Sequence, residues 1–309
     1  MMNMQNLTKK LKRLVTDQEF RFHILQNMGV YNLVPDKLYL KRFFRAHMHQ
    51  KLDWNHLQTF NQKLQWLKLY DRRPEYRRMA DKLEAKDYVA ERIGREHIIP
   101  TIAVWDRIDQ IDFDALPDQF VLKCTHDSGG VVICNDKAHF DVLSAKKKLE
   151  KSLKRKYFHY GREWPYKGLK PRIMAEQYMC DGAYDKDNLT DYKIFCFDGE
   201  PQFVMTVRDR SKGKGQSLHR WYNMDWELQD LDLDYRNEIK EPEPRPQQLD
   251  QMLQFARELS AGLKHLRVDL YVINGHIYFG ELTFYHMSGC ERFEPASWDH
   301  RLGGYIQLD

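Results

Sequence analysis

The stretch RVDLYVINGHIYFGELTF, residues 267–284, carries two apolar runs on either side of Asn274-Gly275. That pattern predicts a β-hairpin, with strands at 267–273 and 276–284. Side chains alternate along a strand, so Arg267 and Asp269 share one face while Val268, Leu270 and Val272 take the other. Glu281 and Thr283 share a face of the second strand. Charged pairs among apolar neighbours are costly to bury without a partner. Two carboxylates, supplemented by waters and phosphate oxygens, suit Mg²⁺. An Arg267–Asp269–Glu281 ion-pair network answers the same need without a metal. Register adds a condition. A two-residue turn pairs Val268 with Glu281 and sends Asp269 and Glu281 to opposite faces. A shared metal therefore needs a bulge or an odd loop, and the expectation is a turn other than the two-residue form.

Working outward, residues 1–50 read as helices and polar turns. Thr59-x-x-Gln62 reads as a capping box ahead of a stripe of Phe60, Leu64, Leu67 and Tyr70. Asp81-x-x-Glu84 reads as a second box, on a helix stopped by Gly94. Strands are expected at 102–105, 119–124, 131–134, 172–179, 191–197 and 201–207. A basic helix is expected near 144–156, a polar mobile loop over 209–218, and an apolar-striped helix over 249–259. Pro242, Pro244 and Pro246 make a stiff linker between the last two. Helices come first, then mixed strands and helices with antiparallel hairpins, which predicts an α+β fold in two lobes.

The 309 residues suffice for two or three subdomains around one cleft. A net charge of +4 argues against a nucleic-acid coat, and nucleic acid is not an expected partner. The charge is uneven. Between Lys146 and Arg172 stand eleven Lys or Arg against Glu150 and Glu163, either a solvated helix face or a basic rim for an anionic substrate. Five cysteines without a C-x-x-C pair fit a reduced, cytoplasmic chain with no zinc site and no disulfide framework. No signal core or long apolar span is present. Leu7, Leu11, Leu14 and Val15 among lysines allow a transient membrane-surface contact, or an ordinary packed helix.

Two further segments carry chemistry. Lys123 ends a strand before Ser128-Gly129-Gly130, where small residues let backbone N–H groups approach phosphates. The lysine precedes the glycines and no helix follows directly, so this is not a P-loop. Glu176 lies in a mostly apolar strand, where it can accept from an adenine amino group or form a buried salt bridge.

The order Asp81-Lys82, Lys123 with its glycine loop, the Glu176 strand, Arg267-x-Asp269 and Glu281-x-Thr283 resembles the ATP-grasp superfamily. TFNQKLQWLKLYDR (59–72), IIPTIAVWD (98–106), LPDQFVLKCTHDSGGVVI (116–133), GREWPY (161–166) and DYKIFCFDGEPQFV (191–204) narrow the resemblance, with the hairpin, to the teichuronopeptide-biosynthesis-type (TupA-like) branch associated with surface-polysaccharide genes. The resemblance implies an ATP-grasp fold, two α+β lobes clasping ATP behind a helical N-terminal region. It places that region at 1–75, a linking subdomain at 76–118, a small lobe with its lid at 119–180 and a large lobe at 181–309.

It also implies roles. Lys82 and Lys123 hold the α- and β-phosphates, and Ser128, Gly129 and Gly130 form the lid. Glu176, Gln177 and Tyr178 read adenine, and Asp191 contacts the ribose. Asp269, Glu281 and Thr283 bind Mg²⁺, although the superfamily pattern has Asn where Thr283 stands. Arg267 steadies the acyl-phosphate. Apart from the resemblance, Arg208, Arg210 and His219 flank the mobile loop, where they can grip the acid, close the site, or serve as solvated loop charges. The implied activity is ATP-dependent carboxylate–amine ligation. A uronic acid of a surface polysaccharide or its precursor is the expected acid, and an amino acid or small amine its partner. Two readings compete: a metal-dependent glycosyltransferase with Asp232-Leu233-Asp234 as its acidic motif, and a non-catalytic ATP-grasp-like binder.

Overall fold

The computed structural model describes residues 12–181, 189–208, 217–233 and 241–308. Near the N-terminus α1 (Gln18–Asn27) is capped by the Asp17 carboxylate, which accepts from Phe20 N–H at 2.9 Å. It packs on α2 (Asp36–Met48) through Phe22, Tyr31, Tyr39, Leu40 and Phe43, a small aromatic core of its own.

The expected capping box of Thr59 and Gln62 opens α3 (Phe60–Tyr70). Phe60, Leu64 and Leu67 are buried, but Tyr70 is exposed and leans on Trp66 instead. After α4 (Glu75–Ala80) comes α5 (Glu84–Ile93), closed at Gly94 by a positive φ of 104°. Its expected capping box is only half made. The Asp81 carboxylate accepts from the N–H groups of Leu83 and Glu84, whereas the Glu84 side chain turns to Arg172 at 2.8 Å.

The small sheet holds β1 (Thr101–Trp105), β2 (Phe120–Cys124), β3 (Val131–Cys134) and β4 (Ile173–Gln177), in the order β1-β4-β2-β3 with antiparallel pairing. Strand alternation sorts its residues. Phe120, Leu122, Cys124, Ile173 and Ala175 enter a core with Leu149 of α6 (Val142–Leu153). Val121, Lys123, Val131, Ile133, Met174 and Glu176 take the opposite face and line a cleft.

The large sheet closes the other side. It is built of β5 (Asp191–Phe197), β6 (Glu200–Arg208) and β7 (Leu218–Tyr222), followed later by β9 (His265–Ile273) and β10 (His276–Thr283). Its order is β10-β9-β5-β6-β7. Between these groups lie β8 (Asp232–Leu233) and α7 (Leu249–Ser260), which packs on β5, β6 and β9. The short β8 pairs with β11 (Phe293–Glu294), and α8 (Ser297–Gly304) packs on α3. Asp232 is thus a strand residue, and Asp234 lies outside the described residues.

The hairpin departs from its expected turn. Ile273 pairs with His276, so Asn274-Gly275 is a two-residue connection, with φ of 51° and 78° at the two positions. Two positive φ values make a type I′ turn, which follows the strands' own twist. The facing problem is solved further along. The register shifts between Phe279 and Glu281, so Gly280 is the extra residue of a β-bulge, and Glu281 then pairs directly with Asp269. A Cβ at Gly280 would stand 2.9 Å from the Tyr271 ring and 3.0 Å from the Asp269 carbonyl oxygen, so a side chain here would force the ring or the bulge to shift.

Candidate active site

The two sheets face each other across a cavity of about 600 Å³. Its walls include Lys82, Lys123, Glu176, Gln177 and Tyr178 from the small-sheet side, and Asp191, Asp269 and Glu281 from the large sheet. Arg267 and Thr283 sit beside this floor. Ser128, Gly129 and Gly130 do not line the cavity, and neither does Arg208, whose Nε lies 3.4 Å from Glu243. Arg210 and the rest of 209–216 lie outside the described residues.

On the small-sheet wall Glu176 is buried between two lysines. Lys86 Nζ lies 2.5 Å from one carboxylate oxygen, and Lys123 Nζ is paired with the other. Burial works to raise the Glu176 pKa, but Lys123 and Lys86 outweigh it and hold the carboxyl below its usual range. Lys86 went unremarked in the sequence. Its signal is proximity alone: it stands in the first turn of α5, four residues after Lys82, which precedes that helix. Lys86 also donates to the Ile99 carbonyl at 2.8 Å and the Thr101 hydroxyl at 2.7 Å. Of the two Glu176 readings, the salt bridge is the arrangement present. Lys82 Nζ donates to the Asp127 carbonyl, tying this helix start to the glycine loop.

That loop has two different glycines. Gly129 takes a φ of 91° in open space. Gly130 is crowded, because a Cβ there would meet the Ser152 hydroxyl at 2.1 Å. Buried Asp127 accepts from Ser152 Oγ and from Arg155 Nη1 at 3.3 Å, pinning the loop base to α6.

The large-sheet wall is an ion-pair lattice. Arg267 donates from Nε and Nη2 to the two Asp269 oxygens, each at 2.7 Å, and from Nη2 to Glu281 at 3.1 Å and Thr283 Oγ1 at 3.0 Å. Its Nη1 lies 2.8 Å from His286 Nδ1. Lys193, opposite Asp269 across the β5–β9 pairing, bridges Asp269 and Asp191, the latter at 2.8 Å. Burial pushes the Asp269 carboxyl up, yet Arg267 and Lys193 prevail and hold it down to about 2. Lys193 was also unremarked. A lone lysine two residues after Asp191 in an apolar strand shares the aspartate's face.

This lattice leaves room for a cation. Asp191, Asp269 and Glu281 bring one more negative charge than Arg267 and Lys193 neutralise. Glu281 is half-exposed toward the cleft; Asp269 Oδ2 already accepts from both Arg267 and Lys193, which leaves Asp269 Oδ1, with Arg267 Nε as its donor, the oxygen with more room for a cation. With the Thr283 hydroxyl 3.5 Å from Glu281, these hard oxygen donors fit Mg²⁺ chemistry.

The chain leaves β10 through a strained segment. Met287 and Ser288 both hold left-handed backbone, with φ of 45° and 55°. A polar stripe on α3 secures them. Gln65 donates to the Ser288 and Gly289 carbonyls, Lys68 donates to the Ser288 carbonyl and hydroxyl, and Asn61 exchanges hydrogen bonds with the Glu291 backbone. All three side chains are fully buried, and burial lowers the Lys68 pKa to about 8.

Two antiparallel sheets closing on a lysine-lined cleft, with paired carboxylates on its floor, define an ATP-grasp fold. The TupA-like ATPgrasp family profile matches residues 62–307, and the chain belongs to that family. Among solved structures it is similar to a D-alanine–D-alanine ligase from Bacillus anthracis (TM-score 0.44, 17% identity, covering 74% of this chain and 65% of that one). It is also similar to a D-alanine–D-alanine ligase from Helicobacter pylori (TM-score 0.39, 13% identity, 74% and 61% covered). A third is the ATP-grasp ligase PsnB complexed with minimal precursor (TM-score 0.37, 10% identity, 68% and 53% covered). The chain thus spans between 53% and 65% of the length of these structures. Comparison with curated proteins gives no match.

Proposed function

We propose that this protein is an ATP-dependent carboxylate–amine ligase working through an acyl-phosphate. The observation that carries the proposal is the opposition of two charge sets across one cavity. Lys82, Lys86, Lys123 and Glu176 face Lys193, Arg267, Asp269 and Glu281. Adenine would lie against Met174 and Tyr178, with the Gln177–Tyr178 segment at its edge. The lysines would run along the triphosphate. Mg²⁺, held by Asp269, Glu281 and Thr283, would neutralise charge on the transferring phosphoryl group.

A substrate carboxylate oxygen bonds to the γ-phosphorus as the bond to ADP breaks. The amine nitrogen then bonds to the acyl carbon, phosphate leaves, and the amine gives up a proton. Arg267, fixed by Asp269 and His286, presents a guanidinium that cannot lose its charge to the oxyanion formed in the second step. Arg208 and Arg210 are proposed to grip the acid, and Asp191 to meet the ribose. Ser128, Gly129 and Gly130 would serve as the lid, on a loop hinged at Asp127.

The acid is proposed to be a uronic acid of a surface polysaccharide or its precursor, and the amine an amino acid or small amine. The basic stretch does not form a rim around the cavity: α6 packs on the face of the small sheet away from the cleft, so its exposed lysines point elsewhere, and the guanidinium groups of Arg155, Arg162 and Arg172 are engaged by Asp127, Asp36 and Asp81. The test is incubation with ATP, Mg²⁺, a hexuronic acid and pooled amino acids. ADP and phosphate release requiring both acid and amine, and lost in Asp269→Asn and Glu281→Gln, is the expected result. Nucleoside diphosphate release from a UDP-sugar instead would establish the glycosyltransferase reading.

A further inference from the structure

A second cavity, of about 380 Å³, lies between α1, α2 and the strained segment after β10. Glu19, His23 and His47 stand on its wall. They form a group in which one ligand atom from each lies within 4.8 Å of the others. Glu19 and His23 are one helical turn apart on α1, and His47 comes from the last turn of α2. We propose that these three residues form a second metal site, of His₂Glu composition, that takes a borderline transition-metal ion such as Zn²⁺. The proposal is independent of the ligase reading.

Four observations carry it. First, the donor set is the type zinc selects: two imidazoles and a carboxylate, with room for a fourth ligand. Second, the spacing is near the required one. Zinc at about 2.0–2.2 Å from each donor places donors roughly 3.3 Å apart, and His23 Nε2 already stands 3.7 Å from Glu19 Oε1. Third, His47 is oriented for the task. Its Nδ1 lies 2.8 Å from the Phe43 carbonyl oxygen, an acceptor that fixes the proton on Nδ1 and leaves the Nε2 lone pair outward. The rings of His23 and His47 meet edge to face at 5.1 Å and 87°. Fourth, Gln26, three residues along α1 from His23, lines the same cavity; it is 6% exposed, and its Oε1 has no hydrogen-bond partner. A water on the open position of the metal would supply that missing donor.

The lack of paired cysteines had argued against zinc, but this site needs none. It would clasp α1 to α2 and leave a coordination position toward a cavity that also reaches Glu163 and Cys290. The site is far in character from the oxygen-only floor of the cleft, so the two metals should not compete.

The experiment uses the full-length chain without a histidine tag, stripped by chelator, titrated with Zn²⁺ in a calorimeter and with Co²⁺ as a visible-absorption probe. One equivalent of Zn²⁺ should bind, and Co²⁺ should show the intense bands of low coordination. His23→Ala and His47→Ala should each weaken Zn²⁺ by more than about 100-fold, beyond the loss typical of an outer-shell partner. Asp269→Asn should bind Zn²⁺ as the parent does. Because the His23 ring is largely exposed, that variant should keep its far-UV dichroism and serve as the decisive one if His47→Ala does not fold. Absence of stoichiometric binding, equal affinity in His23→Ala, or loss of binding in Asp269→Asn would each overturn the proposal.

Discussion

At the scale of single residues, the floor of the cleft is governed by charge compensation. Asp269 is ionised because Arg267 and Lys193 both reach it, against the cost of its burial. Removing Lys193 leaves Asp191 and Asp269 facing each other without their shared cation. Loss of one partner from a buried pair typically costs about 3–5 kcal/mol. Lys193→Met should therefore lower stability by about 3 kcal/mol, read from urea unfolding midpoints. A drop under about 0.5 kcal/mol would mean that solvent reaches these carboxylates.

The same compensation sets a pH dependence. The folded-state pKa of Asp269 is depressed from 3.8 to about 2, so an unfolded chain binds the proton first as pH falls. Its contribution is complete above about pH 4 and is lost as pH drops toward 2. The stability gap between the parent and Asp269→Asn should narrow across that window. A gap independent of pH would show that the carboxylate's charge is not what stabilises the fold.

At the scale of elements, the hairpin shows what a sequence holds and what it hides. Asn274-Gly275 and the alternation around it located both strands and both carboxylates. The constraint that Asp269 and Glu281 need a bulge or odd loop to share a face was also legible. The choice between them was not. An Asn-Gly pair suits either turn, and the deciding contact, Gly280 against the Tyr271 ring, joins residues that only the folded pairing brings together. Gly280→Ala should shift or lose the bulge and rotate Glu281 from the cleft. ATP turnover in Mg²⁺ should fall at least about tenfold, a loss of roughly 1.4 kcal/mol in transition-state stabilisation. Unchanged turnover would remove Glu281 from the proposed metal set.

The α3 stripe was half legible. Its apolar residues could be assigned to a core by spacing, whereas Asn61, Gln65 and Lys68 look like an ordinary polar face. Their partners are backbone groups more than 200 positions away, and no local pattern reveals such a match. Lys68→Met should keep the helix yet remove the charged donor from the Ser288 carbonyl and hydroxyl, leaving the carbonyl to Gln65. The expected cost is about 1–3 kcal/mol.

Across the whole molecule, the two-lobed plan was readable because strand alternation separates each sheet's core face from its cleft face. The attachment of the N-terminal helices was not, because one of its main ties is Arg162, in a run of basic residues that reads as surface. Arg162 is 1% exposed and has left-handed backbone at φ 55°. It donates from Nη2 to the Tyr31 carbonyl at 2.6 Å, lies 3.2 Å from Asp36, and covers the Tyr39 ring at 4.4 Å. These contacts join the helical region to the segment leading into β4. Arg162→Met keeps the aliphatic stem but takes the charged donor from the Tyr31 carbonyl, leaving it the Val34 N–H at 3.1 Å, while Asp36 retains Arg72 at 2.9 Å. The cost should be about 2 kcal/mol, between the loss of a hydrogen bond to a charged group and that of a buried pair. It should fall on the N-terminal helices, since the large sheet and the small sheet each pack on a core distinct from that of the helices. Limited proteolysis should then cut the variant between α2 and α3 faster than the parent. Saturating ATP–Mg²⁺ should still raise its melting temperature as much as the parent's, because ligand bound at about 100 times Kd stabilises by about 2.7 kcal/mol wherever the cleft is intact. Loss of that shift would mean instead that the N-terminal helices help to shape the nucleotide cleft.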